Sequence, residues 1–176
     1  IGVLSFRESV KRYLIENKYK NVTTSSFMDV VAEVSKKDLT QFKSTWLTSE
    51  VFPTAEALRI LRKQPVMEQY LQLAARRIST FEESYNSYKE TLQHPVEMIL
   101  VKEMVAQLSI HDNDKKYELL QQAAVLNDLE VNQLIVLSTP TLNNKNRELI
   151  TSMLNDASYV TRESVLFLLW NDASDK

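Results

Sequence analysis

The sequence contains no cysteine, and this absence removes several kinds of function at once. A chain without thiols has no disulfides, no cysteine nucleophile and no sulfur ligands for zinc. Histidine is nearly as rare, since only His94 and His111 occur in 176 residues. They are too far apart for the one-turn spacing of an H-E-x-x-H zinc helix. We therefore expect no catalytic, cofactor-binding or metal-binding residue in this chain, and we interpret both histidines as surface or loop residues.

Glycine is also nearly absent, because Gly2 is the single glycine of the chain. Average usage of about 7% would give roughly twelve. Phosphate-binding loops, dinucleotide-binding turns and tight β-hairpins all depend on glycine, which allows positive φ and close backbone approach. The scarcity argues against kinases, P-loop enzymes and nicotinamide enzymes, and it favours a succession of helices.

Charge and hydropathy are those of an ordinary globular domain. The net charge is −2, with 44% hydrophobic and 25% charged residues. Such a chain has no global field that would attract nucleic acid or an anionic membrane. The longest apolar runs, such as 165–170, fall far short of the ~20 residues that a membrane span requires. We predict no nucleic-acid partner and no membrane-spanning helix.

Helical periodicity in the first third predicts three short helices. The segment 5–8 (Ser-Phe-Arg-Glu) has the pattern of a capping box at the start of the first helix. Thr24 or Ser25 is expected to cap the second helix, and Asp38 the third. Pro53 forces the residue before it out of helical geometry and ends this group.

After Pro53 the pattern becomes a longer series of helices separated by polar turns. Pro95 is expected in the first turn of a strongly apolar helix, where its missing amide costs nothing. Asn-Asp pairs at 127–128, 155–156 and 171–172 are expected to end one helix and cap the next. Short helices joined in this way are typical of stacked helical hairpins.

These patterns together predict an all-α protein of about ten or eleven helices. Residues 1–52 form a short helical bundle, and residues 53–176 form a HEAT-like superhelix of antiparallel helix pairs. The charged pairs 76–77 and 82–83 are interpreted as solvated helix surface. Tyr70, Tyr85 and Tyr88 share one helical spacing, which indicates core positions with their hydroxyls at the edge of the core.

Two further patterns resemble known binding motifs, but their residues do not fit those motifs. Residues 27–46 resemble a helix-turn-helix, but a DNA-binding domain carries a basic stripe and this chain is slightly acidic. The acidic spacing that begins at His111 resembles a calcium loop, but Lys116 and Tyr117 stand where an EF-hand needs an oxygen ligand and glycine.

The first 53 residues also show a recognisable order of landmarks: Ile1-Gly2, Phe6, Val10, Tyr13-Leu14, Lys18-Tyr19, Asn21, Thr23-Thr24, Phe27, Trp46 and Phe52-Pro53. This order resembles a segment of the zinc metallopeptidases of the aminopeptidase N and leukotriene hydrolase family. The resemblance covers the first third of the chain. Two features depart from the family pattern. Val51 stands where a glycine often precedes the aromatic-Pro pair, and a helix starts at once at Thr54, so the small β-sandwich of some members is not expected.

The resemblance implies that residues 1–52 are the helical end of a thermolysin-like catalytic domain. Residues 53–176 would be the C-terminal helical superhelix, which closes over the catalytic cleft and limits which peptides enter. In this family the H-E-x-x-H motif, the third zinc ligand Glu and the Tyr that stabilises the tetrahedral intermediate all precede such a segment. The implied partners are an upstream catalytic domain of the same polypeptide, with its zinc, and peptide substrates. The fragment alone is expected to be inactive.

A second interpretation stays open, in which the chain is a free-standing HEAT-like scaffold that binds a protein partner. The first interpretation carries one structural expectation. If the opening helices have lost the rest of a catalytic domain, part of the set Phe6, Tyr13, Phe27, Phe42 and Trp46 should face outward. A self-contained unit would instead bury all five against one another.

Overall fold

A computed structural model describes residues 1–93, 95–111 and 113–174. These residues form eleven α-helices joined by turns and two short 3₁₀ segments, and no strand occurs within those ranges. The predicted all-α class is therefore confirmed. The chain divides into two compact units, Ile1–Arg59 and Ile60–Lys176, each of which is described by itself. No helix in the described ranges is long and apolar enough to cross a membrane.

The helices of the first unit are α1 (Val3–Glu16), α2 (Thr24–Ser35), α3 (Thr40–Trp46) and the start of α4 (Thr54–Leu61). Its buried apolar residues are Met28, Val30 and Val31 of α2, and several aromatic rings also contact one another. The ring of Phe27 meets those of Phe6 and Tyr13 edge to face, at centroid distances of 6.5 and 5.1 Å. The rings of Trp46 and Phe52 meet in the same way at 6.2 Å. These edge-to-face contacts add to the area that the rings bury.

The aromatic set of the first unit is only partly covered. Phe6 is 49% exposed and Phe42 is 48% exposed, whereas Tyr13, Phe27 and Trp46 are half-buried. The expectation that part of this set faces outward is confirmed.

The caps of the first unit differ from the sequence prediction in register. Helix α1 begins at Val3, so Ser5 lies inside its first turns and its carbonyl accepts a hydrogen bond from Ser9 Oγ at 2.7 Å. The capping box predicted at 5–8 is wrong because the helix starts before it. A capping box does form at α2, where Thr23 and Ser26 satisfy each other's backbone N–H groups. This cap lies one residue before the predicted position.

The helices of the second unit are α5 (Pro65–Ala74), α6 (Phe81–Thr91), α7 (Met98–Leu108), α8 (Lys116–Val125), α9 (Leu129–Leu137), α10 (Arg147–Ser152) and α11 (Tyr159–Ser174). The 3₁₀ segments Ala75–Ile78 and Met153–Asn155 continue α5 and α10. Helix α7 lies at the centre and packs against α5, α6, α8 and α9. Its residues Val101, Met104, Val105 and Leu108 are fully buried. Their spacing of i, i+3, i+4 and i+7 places them on one helical face.

The first Asn-Asp turn forms as predicted. Asn127 adopts the left-handed conformation with φ of 54°, and the Asp128 carboxylate accepts hydrogen bonds from the N–H groups of Glu130 and Val131 at 3.0 Å. Asn tolerates this conformation and Asp is a favoured N-cap, so the pair ends one helix and begins the next.

Two other predicted boundaries are wrong. Asn171 and Asp172 lie inside α11. The carboxylate of Asp172 forms an ion pair with Arg147 of α10, with 2.8 Å between the two atoms. Pro95 precedes the first turn of α7, because Glu97 still has an extended backbone and the helix begins only at Met98.

Candidate functional site: a polar groove beside a buried hydrogen-bond network

A carboxylate is buried in the core of the second unit. Glu103, on α7, is 5% exposed. Its two oxygens accept hydrogen bonds from Arg77 in the 3₁₀ segment after α5, from Nε at 2.7 Å and from Nη2 at 2.5 Å. This two-point geometry is the strongest form of a guanidinium–carboxylate pair. Arg77 is therefore more than the solvated surface charge that the sequence suggested.

Gln107 extends the network by one turn of α7. Its Nε2 donates to Glu103 Oε1 at 2.7 Å and to the backbone carbonyl of Leu73 at 2.9 Å. Both amide hydrogens are thus used, and the remaining Oε1 can only accept. It accepts from the hydroxyl of Tyr88 at 3.0 Å. The hydroxyl of Tyr88 was predicted at the edge of the core, and this is wrong, because the residue is fully buried.

His111 completes the chain of hydrogen bonds. Its Nε2 lies 3.2 Å from the Tyr88 hydroxyl. That hydroxyl has one proton, which it donates to Gln107, so its oxygen must accept from His111. The ring nitrogen Nε2 therefore carries a hydrogen. The ring also stands edge-on to Phe81 at a centroid distance of 5.7 Å, which fixes its orientation.

The environment shifts the pKa values of two groups in the network. Burial alone raises the pKa of Glu103, but the hydrogen bonds from Arg77 and Gln107 outweigh it, so the pKa lies below its ordinary value. The carboxylate is therefore ionised at neutral pH. Burial raises the pKa of the Tyr88 hydroxyl, which keeps it protonated as a donor.

A groove of about 1000 Å³ opens beside this network, between α5, α6 and the start of α7. Leu73 and Leu100 are buried and supply apolar floor. Leu73 also joins the groove to the network, since its carbonyl binds Gln107. The walls are mainly polar and include Gln69, Gln72, Arg76, Glu90, Gln93 and Glu97.

A second surface, on α11, is apolar. A groove of about 610 Å³ is lined by Leu154, Tyr159, Leu166, Phe167 and Trp170, together with Arg162 and Glu163. Phe167 is 63% exposed and Trp170 is 74% exposed. Large side chains that face solvent on one helix face usually mark a contact surface.

The structure brings one of the two histidines into a defined site. His111 belongs to the network, whereas His94 lies outside the described residues. Among residues 1–93, 95–111 and 113–174, no group of three or more His, Cys, Asp or Glu side chains is arranged to hold a metal ion. Glu83 is exposed, as the sequence predicted, and it also forms a capping box with Thr80 at the start of α6.

Sequence reasoning missed Glu103 and Gln107, the residues on which the network depends. One signal was present, because these two polar residues lie one turn apart in a helix that is otherwise strongly apolar. Long polar side chains are seldom fully buried without partners, so such a pair on a core face predicts a buried network.

The Glu103 pair predicts a stability that depends on pH. Glu103→Gln should lower the free energy of unfolding by about 1–3 kcal/mol at pH 7, because it weakens a buried charged hydrogen-bond pair. The folded-state pKa of Glu103 lies below the ordinary value of about 4.3, so the contribution is complete above that pH and disappears as the pH falls through the folded-state pKa. Urea denaturation followed by circular dichroism at pH 7, 4 and 3 measures the difference, which should shrink towards pH 3.

The matched control for this measurement is Glu163→Gln, a change of the same type at an exposed position of α11. It should change stability by less than about 0.5 kcal/mol. A Glu103→Gln variant as stable as this control at pH 7, or a difference that persists unchanged to pH 3, would contradict the assignment.

The direction of the hydrogen bonds predicts the tautomer of His111. Long-range ¹H–¹⁵N correlation spectra should show a hydrogen on Nε2 of the neutral ring. Tyr88→Phe removes the acceptor of that hydrogen and leaves Gln107 Oε1 without its donor, so it should also cost about 1–3 kcal/mol of stability. A neutral His111 with its hydrogen on Nδ1 would show that the network runs in another direction.

We compared the chain with protein-family models, curated proteins and solved structures, and none of them matches it. A function for the chain therefore rests on its own residues and their geometry.

Proposed function

We propose that the chain is the C-terminal helical region of a zinc-dependent aminopeptidase, an enzyme that removes N-terminal residues from peptides. Residues 1–52 complete the catalytic domain, and residues 53–176 wall and gate the substrate chamber. The catalytic residues lie upstream in the same polypeptide. The observation that carries the proposal is the order of landmarks in the first 53 residues.

The packing of the first unit supports this proposal. The landmark residues Phe6, Tyr13 and Phe27 contact one another through their rings, and so do Trp46 and Phe52. Five of the landmark residues therefore take part in contacts between rings within the unit, so the pattern includes residues with a packing role.

The exposed apolar residues of α1 are a second support. Val3 is 73% exposed, Leu4 is 82% exposed, and Leu14 and Ile15 are also mainly exposed. An apolar surface of this kind usually marks a contact surface. In the proposed polypeptide, the upstream catalytic domain covers it.

The chemistry of peptide hydrolysis determines what each part of the proposed polypeptide must supply. Amide hydrolysis of this type needs a metal that polarises the carbonyl and activates water, and a carboxylate that moves the proton. Upstream residues supply both. The second unit forms a wall of the substrate chamber and limits which peptides enter.

A second candidate function is a free-standing helical-repeat scaffold that binds a protein partner. The apolar groove on α11 favours it, because an exposed apolar surface usually marks a contact surface. In this alternative the α11 surface is the binding site, and no enzyme is involved.

The coding sequence upstream of Ile1 separates the two candidates. We expect an H-E-x-x-H motif followed by a further Glu, all in frame with this chain. An unrelated domain, or a start codon directly before Ile1, would rule out the aminopeptidase and favour the scaffold.

A biochemical prediction concerns the chain by itself. The purified 176-residue chain should not bind zinc stoichiometrically at submicromolar concentration, since zinc requires three protein ligands in near-tetrahedral geometry. It should also hydrolyse aminoacyl-anilides no faster than buffer. Isothermal titration and an absorbance assay measure the two quantities, with the complete polypeptide as the positive control. Tight binding that is lost in His94→Ala or His111→Ala, or hydrolysis above the buffer rate, would overturn the prediction.

A further inference from the structure

The polar groove carries opposite charges at its two ends. Arg76 lies at the α5–α6 connection, where its Nη1 donates to the carbonyl of Glu83 at 3.2 Å. Glu90 lies in the last turn of α6, and Glu97 lies at the N-cap of α7. The acidic end is thus at the α6–α7 connection, at the opposite end of α6 from Arg76.

The charged groups of the groove have capacity for a ligand. A guanidinium has five N–H donors, and the contact with Glu83 uses one of those of Arg76. The carboxylates of Glu90 and Glu97 form no hydrogen bond or ion pair with any residue of the described ranges. A ligand with a cation at one end and an anion at the other would satisfy both ends of the groove.

The spacing of the charges sets the length of such a ligand. Seven residues of α6 separate Glu83 from Glu90, and a rise of 1.5 Å per residue gives about 10 Å. An extended peptide advances about 3.3 Å per residue, so three to four residues cover this distance. The groove volume of about 1000 Å³ is large enough for a peptide of that length.

The remaining wall residues suit a peptide backbone. Gln69, Gln72 and Gln93 line the groove and are exposed. A side-chain amide has two donors and an acceptor, so it can bind both the N–H and the C=O groups of an extended chain. The apolar floor of Leu73 and Leu100 accommodates small side chains.

We propose that this groove binds a short peptide in one orientation, with its terminal ammonium at Glu90 and Glu97 and its carboxylate at Arg76. All the residues that line this site belong to the second unit. It assigns a ligand to the second unit whether or not an upstream catalytic domain exists.

The test is a titration of the ¹⁵N-labelled chain with tetraalanine, followed by chemical-shift changes of the backbone amides. Tetraalanine has both terminal charges and no polar side chain. Amides of α5, α6 and the start of α7 should shift, with saturation in the millimolar range or below. N-acetyl-tetraalanine amide, which lacks both charges, should bind about four- to 25-fold more weakly, because each of two partly exposed ion pairs contributes about two- to fivefold.

Paired variants test the orientation. Arg76→Gln should weaken the binding of tetraalanine at least twofold and leave that of its C-terminal amide unchanged. Glu97→Gln should weaken the binding of tetraalanine by a similar factor and leave the binding of N-acetyl-tetraalanine unchanged. Glu118→Gln, at an exposed position of α8 outside both grooves, is the matched control and should have no effect on either peptide.

Each outcome bears on the proposal. Three results would overturn it: no shifts in the groove at 20 mM peptide, shifts confined to the α11 groove, or equal binding of the charged and capped peptides. A peptide concentration of 20 mM is roughly twenty times a 1 mM dissociation constant, where binding is ~95% complete. The capped peptide needs no variant, so the test stands even where a substitution fails to fold. An upstream sequence without H-E-x-x-H would contradict the proposed function and would not affect the peptide site. Failure of tetraalanine to bind would contradict the peptide site alone.

Discussion

The second unit depends on the burial of one charge, the carboxylate of Glu103. An ionised group in a protein core is costly unless charged and hydrogen-bonding partners surround it. Helix α7 is the central helix, so those partners must come from the helices around it. Arg77 reaches Glu103 from the end of α5, and Gln107 binds the carbonyl of Leu73 on the same helix. The position of α5 along α7 is therefore fixed by hydrogen bonds as well as by apolar contact, which alone tolerates sliding.

The same constraint gives the polar groove its shape. Tyr88 attaches α6 to α7 through Gln107, while Leu73 belongs both to the network and to the floor of the groove. Hydrogen bonds of the network thus join α5 and α6, which form the walls, to α7. A groove that is already ordered binds a flexible ligand at a smaller entropic cost than one that must close around it. The buried network thus links the core to the binding surface.

Most of the helices were predictable from the sequence, but the network was not. Periodicity within a short window reports which residues share a helix face, and the Asn127–Asp128 turn depends on local backbone preferences alone. The contacts of Glu103 and Tyr88 join residues 19 to 26 positions apart, and no local pattern specifies which helices meet. The wrong boundary at 171–172 involves a similar contact, since Asp172 forms an ion pair with Arg147, a residue of another helix.

The two grooves of the second unit differ in chemistry, and this difference suggests two kinds of contact. Interfaces that stay assembled are strongly apolar, whereas surfaces that exchange ligands carry more polar and charged groups. The α11 groove has Phe167 and Trp170 exposed at its surface, so a permanent neighbour would gain most from covering it. The polar groove has separated charges and amide side chains, which bind a ligand with direction and release it again. The apolar surface therefore suits a lasting contact with a neighbouring protein, and the polar groove suits the peptide ligand that we propose.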